Sequence, residues 1–331
     1  MNHVTPIDAR MLARFERGYD ARPELQVMSN AISRTALPDA AFVPSAAARL
    51  RMDFSVLVKT DNITNQKQSG RCWMFSTLNM LRQRVIKKCN LEDFSFSPTY
   101  LAFYDKLEKA NLFFENIIHF AGQELDDRET FTLMGNPLPD GGQWDMAISL
   151  IKKYGLVPSW VMPETVHSTG TAKYLPILCR KMREDALELR ALVRAGKDPA
   201  ARREEMLAEI YNALRILYGQ PPKTFDFEYT DKDQAYHCDC GMTPHSFLEK
   251  YVGNDFDDYA VIISSPIHEV NRTYCQPFMG DVVEENMFWL NLSQEELEDL
   301  TIRQMQEGEG VMFSCDCHPD GDRANGYWDP D

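Results

Sequence analysis

The stretch NQKQSGRCWMFSTL, residues 65–78, places one cysteine, Cys72, between a polar, glycine-containing run and a segment that turns apolar. From Cys72 onward, Met74, Leu78, Leu81 and Val85 recur at i, i+4, i+7 and i+11. That spacing predicts an α-helix with Cys72 in its first turn, just after the flexible Gly70. A thiol there lies beside free N–H groups and the positive end of the helix dipole, and both favour thiolate. Arg71 adds positive charge, and Gly70 lets a substrate backbone come close. Gln66, six residues upstream, carries an amide NH₂ able to donate to an oxyanion. Together with the Cys72 backbone N–H it supplies the two donors a tetrahedral intermediate needs. The bland alternative is a structural thiol, because free cysteine is among the most buried residue types. The combination of Gln66, Gly70, Cys72 and Trp73 favours a nucleophile.

The rest of the chain sets the frame. It has 331 residues, 44% of them hydrophobic. A chain of this size buries roughly 75% of its unfolded surface, and its length suggests about two domains, or one with a large insertion. The formal net charge of −15 is a poor match to nucleic acid or anionic lipid, which need a positive footprint. The first twenty residues contain no apolar signal region, and no apolar run is long enough to span a bilayer. A cytoplasmic protein with eight free thiols is the expectation, so the sequons at Asn62, Asn271 and Asn291 carry no meaning.

Residues 1–52 read as a short helix with loops, punctuated by Pro38 and Pro44, and FSVLV (54–58) as a short strand. Ser97-Pro98 caps a second helix over 99–120. A loop with Gly135, Pro137, Pro139, Gly141 and Gly142 leads into a third helix, WDMAISLIKKYG, closed by Gly155. Residues 172–218 read as two charged amphipathic helices, a packing or assembly surface. FDFEYTDKD (225–233) alternates like a strand, and TPHSFLEKYVG (243–253) is a short capped helix. DYAVIISSP (258–266) is the best buried-strand candidate. MFWLNLSQEELEDLTIRQMQEGEGVMFSCD (287–316) adds a capped helix and another strand. Helices first and strands later argue for an α+β layout.

QKQSGRCW resembles the active-site segment of papain-like cysteine peptidases. Ser69 and Arg71 depart from that family's usual signature, where a cysteine and a small residue stand. Four separated segments are closer still to the bleomycin hydrolase and aminopeptidase C branch: ITNQKQSGRCWMF (63–75), FSPTYLAFYDKLEKAN (96–111), DGGQWDMAISLIKKYGLVP (140–158) and FSCDCHPDGDR (313–323). The resemblance runs from about residue 27 to the end. It implies a papain-like α+β fold with a helical insertion. The expected parts are an N-terminal segment (1–60), a helical domain with the nucleophile helix (61–170), the insertion (171–250) and the start of a β domain (251–331), incomplete in this chain. It further implies Cys72 as nucleophile, Gln66 as oxyanion donor, and Gly141 and Gly142 as a backbone edge for the bound peptide. Read without the resemblance, the two glycines are equally well a plain loop turn. The implied reaction is removal of residues from peptide N-termini through an acyl-thioester on Cys72, with bleomycin-type amides as a side substrate. Homohexameric rings, short-peptide partners and no cofactor complete the picture.

Such chemistry needs a histidine base and an orienting third group. In the family these follow the nucleophile by roughly 130–150 residues. That window, about 202–222 here, holds no histidine. His119, His167, His237, His245, His268 and His318 lack the family's flanking residues, and no Asn-Ser-Trp-Gly occurs. The expectation is a chain that stops before its own base: a fragment of an active enzyme, an inactive truncated remnant, or a subunit for assembly or peptide binding. Recruitment of another histidine is a further alternative.

HCDC (237–240) and CDCH (315–318) together offer four thiols and two imidazoles, enough for tetrahedral zinc. Their C-x-C spacing is a less common bite, and free surface thiols are the simpler reading, so no metal is expected. HEVNR (268–272) lacks the second histidine of a zincin. The acidic pairs Asp257–Asp258 and Glu284–Glu285 read as solvated faces.

Overall fold

Cys72 opens the helix that organises the fold. In the computed structural model, which describes residues 5–50, 53–58, 62–276, 280–283, 287–315, 321–322 and 325–328, contacts divide the chain into two units. One spans 56–313; the other comprises 1–55 and 314–331.

The larger unit contains the site. Its first helix, Cys72–Cys89, buries Met74, Leu78, Leu81 and Val85, as their spacing predicts. It ends on Asn90 in the left-handed conformation, which a short polar side chain tolerates. A long central helix, Pro98–His119, follows; the Ser97 hydroxyl accepts from Tyr100 N at 3.1 Å, and Pro98 fills the first turn. The remaining helices are Arg128–Gly135, Trp144–Tyr154, Leu175–Arg194, Ala200–Tyr218, Pro244–Tyr251 and Gln294–Gln306. Leu175–Arg194 and Ala200–Tyr218 both pack on Pro98–His119, and the Tyr174 and Tyr218 hydroxyls share a buried hydrogen bond of 2.5 Å. The expected packing role of this pair therefore holds. Pro98–His119 also packs on Cys72–Cys89, Arg128–Gly135 and Trp144–Tyr154. It is surrounded, and its charged residues Asp105, Lys106, Glu108 and Lys109 are buried with its apolar ones.

Strands are few. We label them β1, Phe225–Thr230, β2, Tyr236–Met242, β3, Val261–Ile263, β4, Arg272–Gln276, and β5, Met287–Asn291. β1 and β2 form an antiparallel hairpin rooted in an aromatic cluster, where Phe227 meets Phe94, Phe247 and Tyr251. β5 is central to a second sheet, parallel to β3 and antiparallel to β4. The 258–266 candidate shrinks to the three residues of β3, all only partly buried. Residues 54–58 form no strand: Phe54 and Leu57 are 65% and 74% exposed. Four apolar residues and a serine with no partner strand leave their backbone groups to water. The 287–316 stretch carries a strand, Met287–Asn291, and a capped helix, Gln294–Gln306, and runs as irregular chain over 311–315.

Among the described residues the smaller unit holds four helices, Ala9–Asp20, Pro23–Ile32, Leu37–Ala41 and Pro44–Ala47, and a two-stranded ladder, Gly321–Asp322 with Tyr327–Trp328. One short helix was expected. Pro38 and Pro44 start helices rather than breaking them, because a first-turn proline forfeits no helical hydrogen bond. Among the described residues no helix is long and apolar enough to cross a membrane.

Candidate active site

Cys72 is exposed, at the first position of its helix. Arg71 precedes it as N-cap and supplies no side-chain cap, so the first-turn N–H groups have no intrahelical partner. The Cys72 sulfur thus has what a nucleophile requires: access and a field of backbone donors.

The loop before it is fixed at nearly every residue. Asn65 Oδ1 accepts from Lys67 N at 2.7 Å, and Lys67 adopts φ 56°. Gln68 N donates to Thr169 O at 3.0 Å. The Ser69 hydroxyl donates to Gln66 O at 2.7 Å and accepts from Arg71 Nε at 2.9 Å. Gln66 itself is half-buried, with its side-chain Oε1 enclosed and unpartnered.

Two expectations change here. Arg71 is 1% exposed, and its Nη2 lies 3.2 Å from Glu164. Its charge is spent on that carboxylate, and its guanidinium also faces Phe75, so it anchors the loop instead of lending positive charge to the thiol. Gly70 gives close approach, but to Asp140: an added Cβ would lie 3.0 Å from Asp140 Cβ, and Gly70 N donates to Asp140 Oδ2 at 2.6 Å.

Asp140 is the junction of the site. Its carboxylate also accepts from Thr171 Oγ1 at 2.6 Å and pairs with Lys106 Nζ at 2.9 Å; its backbone oxygen accepts from Trp73 Nε1 at 3.2 Å. Burial opposes its charge, but Lys106, the Thr171 hydroxyl and the Gly70 N–H outweigh it and hold the pKa down at about 2. Lys106 is fully buried; the burial penalty is overcome by Asp105 and Asp140, which push it up to about 12. One turn on, Lys109 donates to Pro139 O and Gly141 O at 3.2 and 2.7 Å and pairs with Asp105 at 2.7 Å. Burial lowers its pKa despite that carboxylate. Asp281, 1% exposed, is pushed up to about 8 by burial and by Asp105, against the pull of Lys109.

The two glycines differ. At Gly142 a Cβ would fall 2.6 Å from the Trp73 ring, so only glycine fits there. Gly141 is exposed and a Cβ would meet nothing within 4 Å. The glycine pair, Asp140 and the Cys72 turn thus form one framework through Trp73. Asp140, Lys106, Lys109 and Glu164 escaped the sequence reading. A weak signal existed: apolar residues surround DKLEK on all helical faces, so those charges had to be buried and paired.

Four histidines make contacts away from Cys72. His119 packs on Phe120, His167 on Tyr174 and His268 on Tyr274, while His237 Nε2 lies 2.8 Å from Asp231 Oδ2. His318, with Cys317, lies outside the described residues, as does the Glu284–Glu285 pair. Among the described residues no group of three or more His, Cys, Asp or Glu side chains is placed to hold a metal ion.

Comparison with known proteins finds relatives that match nearly the whole chain. Aminopeptidase G of Lactobacillus delbrueckii subsp. lactis is 44% identical over 326 residues, covering 97% of this chain and 74% of the relative. Aminopeptidase C of Listeria innocua is 39% identical over 330 residues, covering 99% and 75%. The crystal structure of PepW from Lactobacillus rhamnosis HN001 superimposes with a TM-score of 0.93 at 38% identity, over 96% of this chain and 73% of that one. Residues 6–331 match the Peptidase C1-like family, to which this chain belongs.

Proposed function

We propose that the protein is a cysteine aminopeptidase, acting on short peptides from their amino ends with Cys72 as nucleophile. The observation that carries this reading is the exposed Cys72 sulfur at an uncapped helix N-terminus, on a turn tied through Asp140 and Trp73 to the glycine pair. The names of its relatives, aminopeptidases C and G, support the substrate class.

In this reading the Cys72 thiolate attacks the scissile carbonyl carbon. The Cys72 N–H and the Gln66 amide stabilise the oxyanion. The C–N bond breaks, the leaving amine takes the proton removed from the thiol by a histidine base of the kind the resemblance implies, a residue identified at none of the histidines above, and an acyl-thioester remains for water to hydrolyse. Gly141, open to solvent, offers its backbone to the peptide; Gly142 contributes by seating Trp73. The resemblance of the four sequence segments supports a cytoplasmic, ring-forming homo-oligomer without a cofactor.

The test uses the full chain with an aminoacyl-coumarin amide and its N-acetylated counterpart. Fluorophore release from the free amine alone, abolished by iodoacetamide on Cys72, is the expected result. No release from either substrate before alkylation would overturn the proposal and favour a peptide-binding or assembly role.

A further inference from the structure

The β1–β2 hairpin carries chemistry that peptide hydrolysis does not use. Cys238 and Cys240 are both exposed, and their sulfurs lie 3.2 Å apart. Strand geometry puts residues i and i+2 on one face, yet in a regular strand their Cα atoms stand about 6.6 Å apart, at the far limit for a disulfide. This strand is not regular. The ladder pairs Phe227 with Asp239 but Phe225 with Met242, so Cys240 and Gly241 together oppose Asp226. Gly241 adopts φ 66°, and its N–H donates to Asp226 Oδ1 at 2.7 Å. That is a bulge with glycine in the left-handed position, which bends and twists its strand. The bend falls beside the two thiols.

The opposite face is occupied. Asp239 contacts Lys250 and Tyr251, and His237 stacks on Tyr229 and meets Asp231. With Phe227 buried beneath, the hairpin is a fixed platform. The thiol face bears Tyr236 and, across the ladder, Glu228 opposite Cys238. The hydrogen bond to Cys238, followed by the charges of Cys238, Asp226 and Glu228, pushes Cys240 up to about 11.

We propose that Cys238 and Cys240 form a reversible dithiol–disulfide pair, oxidised by small-molecule disulfides. The first thiolate to form attacks one sulfur of RSSR, breaks its S–S bond and releases RS⁻. The second thiol loses its proton and attacks the mixed disulfide, joins its neighbour and releases a second RS⁻. The protein gives up two electrons and two protons, and RSSR leaves as two RSH. The carboxylates slow the first step. The second is intramolecular, between sulfurs already in contact, and outruns it.

The full chain is equilibrated with graded ratios of reduced and oxidised glutathione, quenched in acid, alkylated with N-ethylmaleimide and digested with trypsin. Peptide 233–250 contains these two cysteines and no other. It is expected to pass through one midpoint from doubly alkylated to an unalkylated form two hydrogens lighter, restored by dithiothreitol. Cys238→Ser should convert Cys240 to a glutathione adduct only. Glutathione adducts on wild-type 233–250 at every ratio, or cross-links between chains, would overturn the proposal. Because mapping separates this peptide from the one bearing Cys72, the outcome is independent of the catalytic reading.

Discussion

The exposed cysteine of the first helix and the exposed pair of the β1–β2 hairpin have surroundings that differ in kind. Cys72 stands at a helix N-terminus, on a turn tied to ion pairs with buried cations: Arg71 with the exposed Glu164, Lys106 with the half-buried Asp140, and Lys109 with the buried Asp105. Cys238 and Cys240 stand on a solvated hairpin, opposite carboxylates and in contact with each other. In the first setting backbone dipoles face the sulfur and the nearest guanidinium is withdrawn beneath it. In the second, negative charge and a neighbouring thiol surround it. The contrast teaches that reactivity is set less by the nearest charged residue than by where that residue's charge is spent.

The sharpest break of this contrast is Cys72→Ala, expected to lower turnover on the order of 10⁴-fold or more, while the Cys238→Ser, Cys240→Ser double variant keeps turnover within about twofold. A fluorogenic aminoacyl amide measures both. Next, Asp140→Ala leaves the buried Lys106 ammonium with Asp105 as its remaining carboxylate and frees the Gly70 turn. Breaking a buried pair costs about 3–5 kcal/mol, so calorimetry should show a melting midpoint lower by roughly 6–15 °C, with turnover falling too. Gly142→Ala drives a methyl into the Trp73 ring, and overpacking of this kind costs about 1–3 kcal/mol. Gly141→Ala, with open space around it, should stay within about 0.5 kcal/mol; equal losses in the two would show that the glycines are not distinct. At pH 7, iodoacetamide followed by peptide mapping should modify Cys72 about tenfold faster than Cys238 or Cys240.

The smallest effect lies in the buried frame. The pKa of Asp281 is raised in the folded state to about 8 from an ordinary 3.8. The folded chain therefore holds the extra proton, and this contribution to stability is complete below the unfolded value and lost as pH rises toward 8. Asp281→Asn should gain a few degrees in melting midpoint over wild type, growing from pH 5 to pH 8. A difference that stays flat with pH would refute the assignment.

Helices with a cap and a stripe could be read directly from the sequence. Ser97-Pro98, Gly155 and the Met74–Val85 spacing each name a local interaction, and local interactions need no knowledge of the partner. The nucleophile could be read for the same reason, since Cys72 and its donors lie within seven residues. What failed was non-local. The apolar run at 54–58 looks like a strand until one asks what pairs with it. The buried frame could not be read because Lys106, Lys109 and Asp140 carry the same letters as solvated surface residues. The packing of several helices around the central one makes the two lysines interior, and their pairing holds Asp140 half-buried beside them. Arg71 was misjudged on the same ground: adjacency in sequence did not reveal Glu164, ninety-three positions away.

The central helix Pro98–His119 has a kinetic consequence. It is walled in by neighbouring helices, and from it Lys106 and Lys109 grip the carbonyls of 139 and 141. The glycine segment therefore shares the opening free energy of the innermost helix instead of fraying as surface loops do. In hydrogen–deuterium exchange the amide of Gly70, donated to Asp140, should be among the last to exchange, on the timescale of global unfolding.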